Sequence, residues 1–183
     1  MEITMEKFEQ LKADYLEMIV QGTADAGGLP PHFTIFATNK DEEKTQAIIH
    51  VPIPDSLLTE EGKESFVTTM LPQISKKVKE KFIVFAVAWA SEAWLRTTEK
   101  GTEVDENWKD LPIKKEVVIV HIESILKKEC NIYEMIRNGH KVDEEGNLID
   151  NVSLTLLPDM DAMTKASGRF TDLLKSFLEE KTS

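Results

Sequence analysis

Nine consecutive apolar residues, Phe82-Ile83-Val84-Phe85-Ala86-Val87-Ala88-Trp89-Ala90, constrain this chain more than any other feature. The run is too short to span a bilayer as a helix, and its β-branched and aromatic content suits a strand. A strand with no polar alternation is buried on both faces, so it belongs in the middle of a sheet. Side-chain alternation assigns Ile83, Phe85, Val87 and Trp89 to one face and Val84, Ala86, Ala88 and Ala90 to the other. The small residues of the second face predict a helix packed closely over it.

The flanking segments supply the other elements. Met5, Phe8, Leu11, Tyr15, Met18 and Ile19 recur at helical spacing and predict an amphipathic helix over 2–20. Gly22 and then Gly27-Gly28-Leu29-Pro30-Pro31 are expected to end it. His32 to Thr38 and Gln46 to Val51 read as a hairpin whose second strand stops at Pro52 and Pro54, as an edge strand does. Thr59 can cap a second helix with the stripe Phe66, Met70, Ile74 and Val78, which Pro72 should kink or split. A long acidic loop over 96–114, carrying Trp108, precedes strands at 116–123, 132–137 and 148–156. Asn138-Gly139 and Asp143 to Asn147 have turn chemistry. Asp159 should cap a last helix whose apolar stripe includes Met163, Phe170, Leu173, Leu174 and Phe177.

The order α-β-β-α-β-β-β-β-α predicts an α+β fold. It should have a central antiparallel or mixed sheet of about six strands and three helices. One domain over 1–183 is expected, with the helix of 1–22 at its periphery. With 183 residues, 41% of them apolar, the chain has material for a real core.

Charge and cysteine usage narrow the function. A net charge of -11 disfavours nucleic acid as the main partner and suits a soluble protein or one with a basic protein partner. The single cysteine, Cys130, excludes an internal disulfide. The acidic N-terminus lacks the basic region of a signal peptide. Together these predict a cytoplasmic protein with no membrane association.

No motif assigns a reaction. The four histidines lie outside any helical zinc-protease pattern, and there is no second cysteine for a thiolate site, so no metal and no cofactor is expected. His121 and Glu123 are two apart on a strand and share a face. They could act as base and orienter or as two metal ligands, although a strand emerging at a sheet edge shows the same pattern without chemistry. Glu92 continues the alanine face where the buried strand meets a loop, which makes it a candidate for proton transfer. The plainer reading pairs it with Arg96 or Lys115 at the sheet end. Ser91 lacks the glycine-flanked elbow of a hydrolase nucleophile. Asp143, Glu145 and Asn147 alternate as in a calcium loop but lack its glycine and its final bidentate acid. Cys130 reads as an inert thiol. Trp94 and Trp108, with Arg96, are the contact candidates, because tryptophan and arginine dominate binding hot spots.

Ser91-Glu92-Ala93-Trp94 at the end of the buried strand, a polar loop, then Lys114-Lys115-Glu116 leading into Val117-Val118-Ile119-Val120 and the acid Glu123 resemble an uncharacterised family of small bacterial and phage proteins. The resemblance covers roughly residues 30–125. That family has no assigned activity, so the resemblance implies a bacterial or phage origin and no catalytic residue. The loop through Trp108 departs from the family in length and charge.

Three functions follow as expectations. The first is a non-enzymatic accessory or protein-interaction factor. The second is a small hydrolase or metal-assisted enzyme using Glu92, His121 and Glu123. The third is a virion or assembly component that self-associates through the edge strand near Pro52.

Overall fold

The computed structural model describes residues 4–41, 46–51, 53, 59–96, 113–157 and 173–178. It contains a six-stranded, wholly antiparallel sheet. Its strands are β1 (His32–Asn39), β2 (Gln46–Val51), β3 (Phe82–Arg96), β4 (Ile113–Ser124), β5 (Lys128–Val142) and β6 (Leu148–Leu156). They lie in the order β2-β1-β3-β4-β5-β6. The apolar run is thus part of an interior strand, as its composition requires, and the α+β architecture predicted from the sequence is present.

Helix α1 (Met5–Ala26) starts at Thr4, whose hydroxyl accepts the Lys7 N–H at 3.3 Å. It passes through Gly22 and ends at Gly27, which adopts a left-handed φ of 73° and donates its N–H to the Thr23 carbonyl. An interior glycine costs a helix only about 1 kcal/mol. A left-handed glycine instead satisfies terminal carbonyls, so Gly27 and not Gly22 is the stop. Phe8, Tyr15 and Ile19 of α1 pack with Ala86, Ala88 and Ala90 of β3 and with Val118, Val120, Tyr133, Met135 and Val152. The helix therefore covers the alanine face.

The opposite face holds an aromatic core. Phe33, Phe66 and Trp89 meet there, with ring centroids 5.6 Å apart for Phe33–Phe66 and 5.9 Å for Phe66–Trp89. It is roofed by α2 (Glu60–Ser65), a π-helical turn at Phe66–Met70, and α3 (Leu71–Lys81). Thr59 caps α2 by accepting the Gly62 N–H at 3.0 Å. Pro72 lies in the first turn of α3, where a missing N–H is tolerated, and the π turn precedes it.

Three expectations need correction. The β1–β3 register shifts between Phe36 and Ala37, which pair with Ala86 and Val84 and leave Phe85 as the extra residue of a bulge. A bulge reverses alternation. Val84 therefore joins Val87 and Trp89 in the aromatic core, Phe85 packs with the α1 core, and Ile83 is exposed. Asn138-Gly139 is not a turn between strands. It lies within β5, where the register shifts between Arg137 and His140 and Gly139 takes a φ of 82°. Finally, Leu173–Ser176 form a single 3-10 turn. The start of the last predicted helix, from Asp159 through Phe170, falls outside the described residues.

Candidate interaction site at the end of the central strand

β3 carries its alternation outward from Ala90 to Glu92 and Trp94, and all three side chains lie on the α1 face. Register sets Glu92 opposite Val118 and Trp94 opposite Glu116 on β4. Arg137 arrives on the same face from β5 and sits among three carboxylates. Its Nε and Nη2 donate to the two oxygens of Glu116 at 2.9 and 2.6 Å, a bidentate pair. Its Nη1 donates to Asp150 of β6 and, at 3.3 Å, to the Gly27 carbonyl. Glu92 Oε2 lies 3.7 Å from Nη2, and His140 Nδ1 lies 3.0 Å from Asp150 Oδ1. Glu116, then Asp150 and Glu92, reinforce the guanidinium charge and raise its pKa further.

The loop after α1 is tied into this cluster. Leu29 donates its backbone N–H to Glu92 Oε1 at 2.6 Å. A Cβ on Gly28 would stand 2.9 Å from that same oxygen, and a Cβ on Gly27 would stand 2.7 Å from the Asp150 carbonyl oxygen. The glycine pair thus permits the helix end to approach the sheet. Glu92 bonds to this loop and forms a looser ion pair with Arg137 at 3.7 Å. Of the two partners expected for it, Lys115 pairs instead with Glu134 at 2.6 Å, and the Arg96 side chain lies outside the described residues.

Trp94 is 60% exposed, although it stands on the same strand as the buried Trp89. Glu116, its partner on β4, is the same residue that clamps Arg137 from β5, so the exposed aromatic and the guanidinium stand on either side of one carboxylate. The backbone of Arg96 closes β3, and its side chain lies outside the description, as does the whole of Trp108.

His121 and Glu123 occur together, but on the other face. His121 is opposite Trp89 and Glu123 opposite Val87, both in the aromatic core. His121 Nδ1 is 3.7 Å from Glu123 Oε1. Glu123 is 1% exposed, and its Oε2 accepts the Leu174 N–H at 3.0 Å. The sheet itself separates this pair from Glu92, so the three residues do not converge. Cys130 is opposite His121, and burial pushes its thiol pKa up, away from the thiolate a nucleophile needs. Among the described residues, no group of three metal-ligating side chains assembles.

Sequence reasoning missed Arg137, Glu116 and Asp150. Only strand register brings them to Glu92. The one signal available was Asp150, a charge interrupting the apolar alternation of its strand. Comparison with family models, curated proteins and solved structures returns no match.

Proposed function

We propose that the protein is a non-enzymatic accessory factor that binds another protein through the surface bearing Trp94 and Arg137. The resemblance to small bacterial and phage proteins suggests a partner in a bacterial cell. The observation that carries the reading is the exposure of Trp94 near the end of β3, one strand across from the Glu116 that clamps Arg137. Tryptophan and arginine supply a disproportionate share of binding energy at protein interfaces, and a pre-ordered surface loses little entropy on binding. An enzyme built on Glu92, His121 and Glu123 receives no such support, because those groups lie on opposite faces of the sheet. No helix among the described residues is long and apolar enough to cross a membrane.

The test is affinity capture from a bacterial lysate with the wild-type chain and with Trp94→Ala. The expected result is a discrete protein retained by the wild type and lost from the variant, while circular dichroism shows the variant folded. Equal capture by both, or capture of nothing specific, overturns the proposal.

A further inference from the structure

Three polar atoms converge on the α1 face of the β1–β2 ladder, away from the surface described above. His50 of β2 is opposite Thr34 of β1, and His32 is two residues before Thr34, so all three side chains share a face. His50 Nδ1 lies 3.1 Å from His32 Nε2 and 3.2 Å from Thr34 Oγ1. The imidazole centroids are 5.1 Å apart and the rings are inclined at 63°.

A ring nitrogen has one in-plane site, a lone pair or a hydrogen. His50 Nδ1 therefore cannot make a well-directed bond to both neighbours at once. A cation bound by the lone pairs would use the convergence fully. With metal–nitrogen bonds of about 2.0–2.1 Å, two ligating nitrogens stand roughly 2.9 Å apart at a right angle and about 3.3 Å apart at the tetrahedral angle. The observed separation lies between these limits. His50 is exposed and His32 partly so, which leaves a path for an ion.

We propose that His32 and His50 form a binding site for a divalent transition-metal ion of the zinc or copper type. Imidazole ligands suit these ions. Among the described residues no third imidazole, thiolate or carboxylate joins the pair. The remaining positions fall to the Thr34 hydroxyl, water or a donor from a bound molecule, so the site is open. A bound ion would cross-link β2 to β1.

The test is calorimetric titration of the full chain with Zn2+, paired with electron paramagnetic resonance of the Cu2+ complex. One saturable site is expected, with hyperfine structure from two imidazole nitrogens. Changes to outer-shell partners alone typically weaken metal affinity by about 10–100-fold, so His32→Asn or His50→Asn should each weaken it by at least about tenfold. Replacing His121 and His140 should leave it unchanged. No saturable binding up to about 1 mM metal, which corresponds to only about 4 kcal/mol, overturns the proposal. So does a binding curve that survives in the His32→Asn/His50→Asn double variant, or a copper spectrum lacking two imidazole nitrogens.

Discussion

Glu123, buried in the aromatic core, accepts the backbone N–H of Leu174 across 51 residues of sequence. The contact fastens the 3-10 turn at Leu173–Ser176 to β4. Ser75 and Lys79 of α3 hold its far end by donating to the Ser176 carbonyl. Leu173, Leu174 and Phe177 are thereby kept in the core beside Phe33 and Trp89.

Glu123→Ala should leave the Leu174 N–H buried without its acceptor. That costs about 1–3 kcal/mol, before any loss of packing. Glu123→Gln keeps an accepting oxygen and should cost less. Urea denaturation measures both, and amide exchange should show faster opening at 173–178 in the alanine variant.

Gly27→Ala should destabilise the fold more than Gly146→Ala. Both positions have positive φ, 73° and 87°, and strain any other residue by about 1–2 kcal/mol. At Gly27 the new Cβ also meets the Asp150 backbone at 2.7 Å, whereas nothing lies within 4 Å at Gly146. Thermal melts of the two variants should separate accordingly. Equal losses would mean that the helix end can move away from β6 freely.

Arg137→Ala should remove the guanidinium that Glu92, Glu116 and Asp150 share. Hydrogen bonds to charged groups contribute about 1.5–3 kcal/mol where buried, and partial exposure reduces this to about 1–2 kcal/mol. Arg137→Lys should recover little, since an ammonium cannot reproduce the bidentate geometry. Added salt should narrow the gap between wild type and the alanine variant in urea denaturation.

Stability should fall on acidification through the range where histidine titrates. His32 has its pKa lowered below 6.5, first by burial and then by His50. The folded state therefore binds this proton less readily than the unfolded chain. The associated stability is fully present above 6.5 and is lost as pH falls toward the folded value. Comparing urea midpoints at about pH 7.5 and about pH 5.5, wild type should lose more than His32→Gln. Equal losses would refute it.

Much of the fold was legible because hydrophobic patterning is local. The continuous apolar run of β3, the alanine face awaiting a helix, and the stripe of α1 all follow from spacing. The face of Val84 and Phe85 did not. In a stretch apolar at every position, the bulge that reverses alternation leaves no trace in residue type. Asn138-Gly139 misled for a related reason, since a glycine at positive φ serves a bulge as well as a turn. The candidate site was less legible than the fold. Glu92 and Trp94 are placed by one strand, whereas Arg137 and Asp150 reach them through the registers of β4, β5 and β6. His121 and Glu123 share a face as their spacing requires. Which side of the sheet that face lies on, relative to Glu92, depends on pairing to β3.

The closeness of Gly27 to Asp150 has a consequence for behaviour at high concentration. The Leu157 N–H and the Asn147 carbonyl both bond toward β5. The even-numbered residues of β6, Asp150 among them, therefore direct their own backbone groups outward. An outer strand of this kind is a template on which a neighbouring molecule can add a strand. The end of α1 stands against the midpoint of that template. A substitution that lifts it away would expose the ladder to other copies of the chain and turn a local packing defect into a tendency to polymerise.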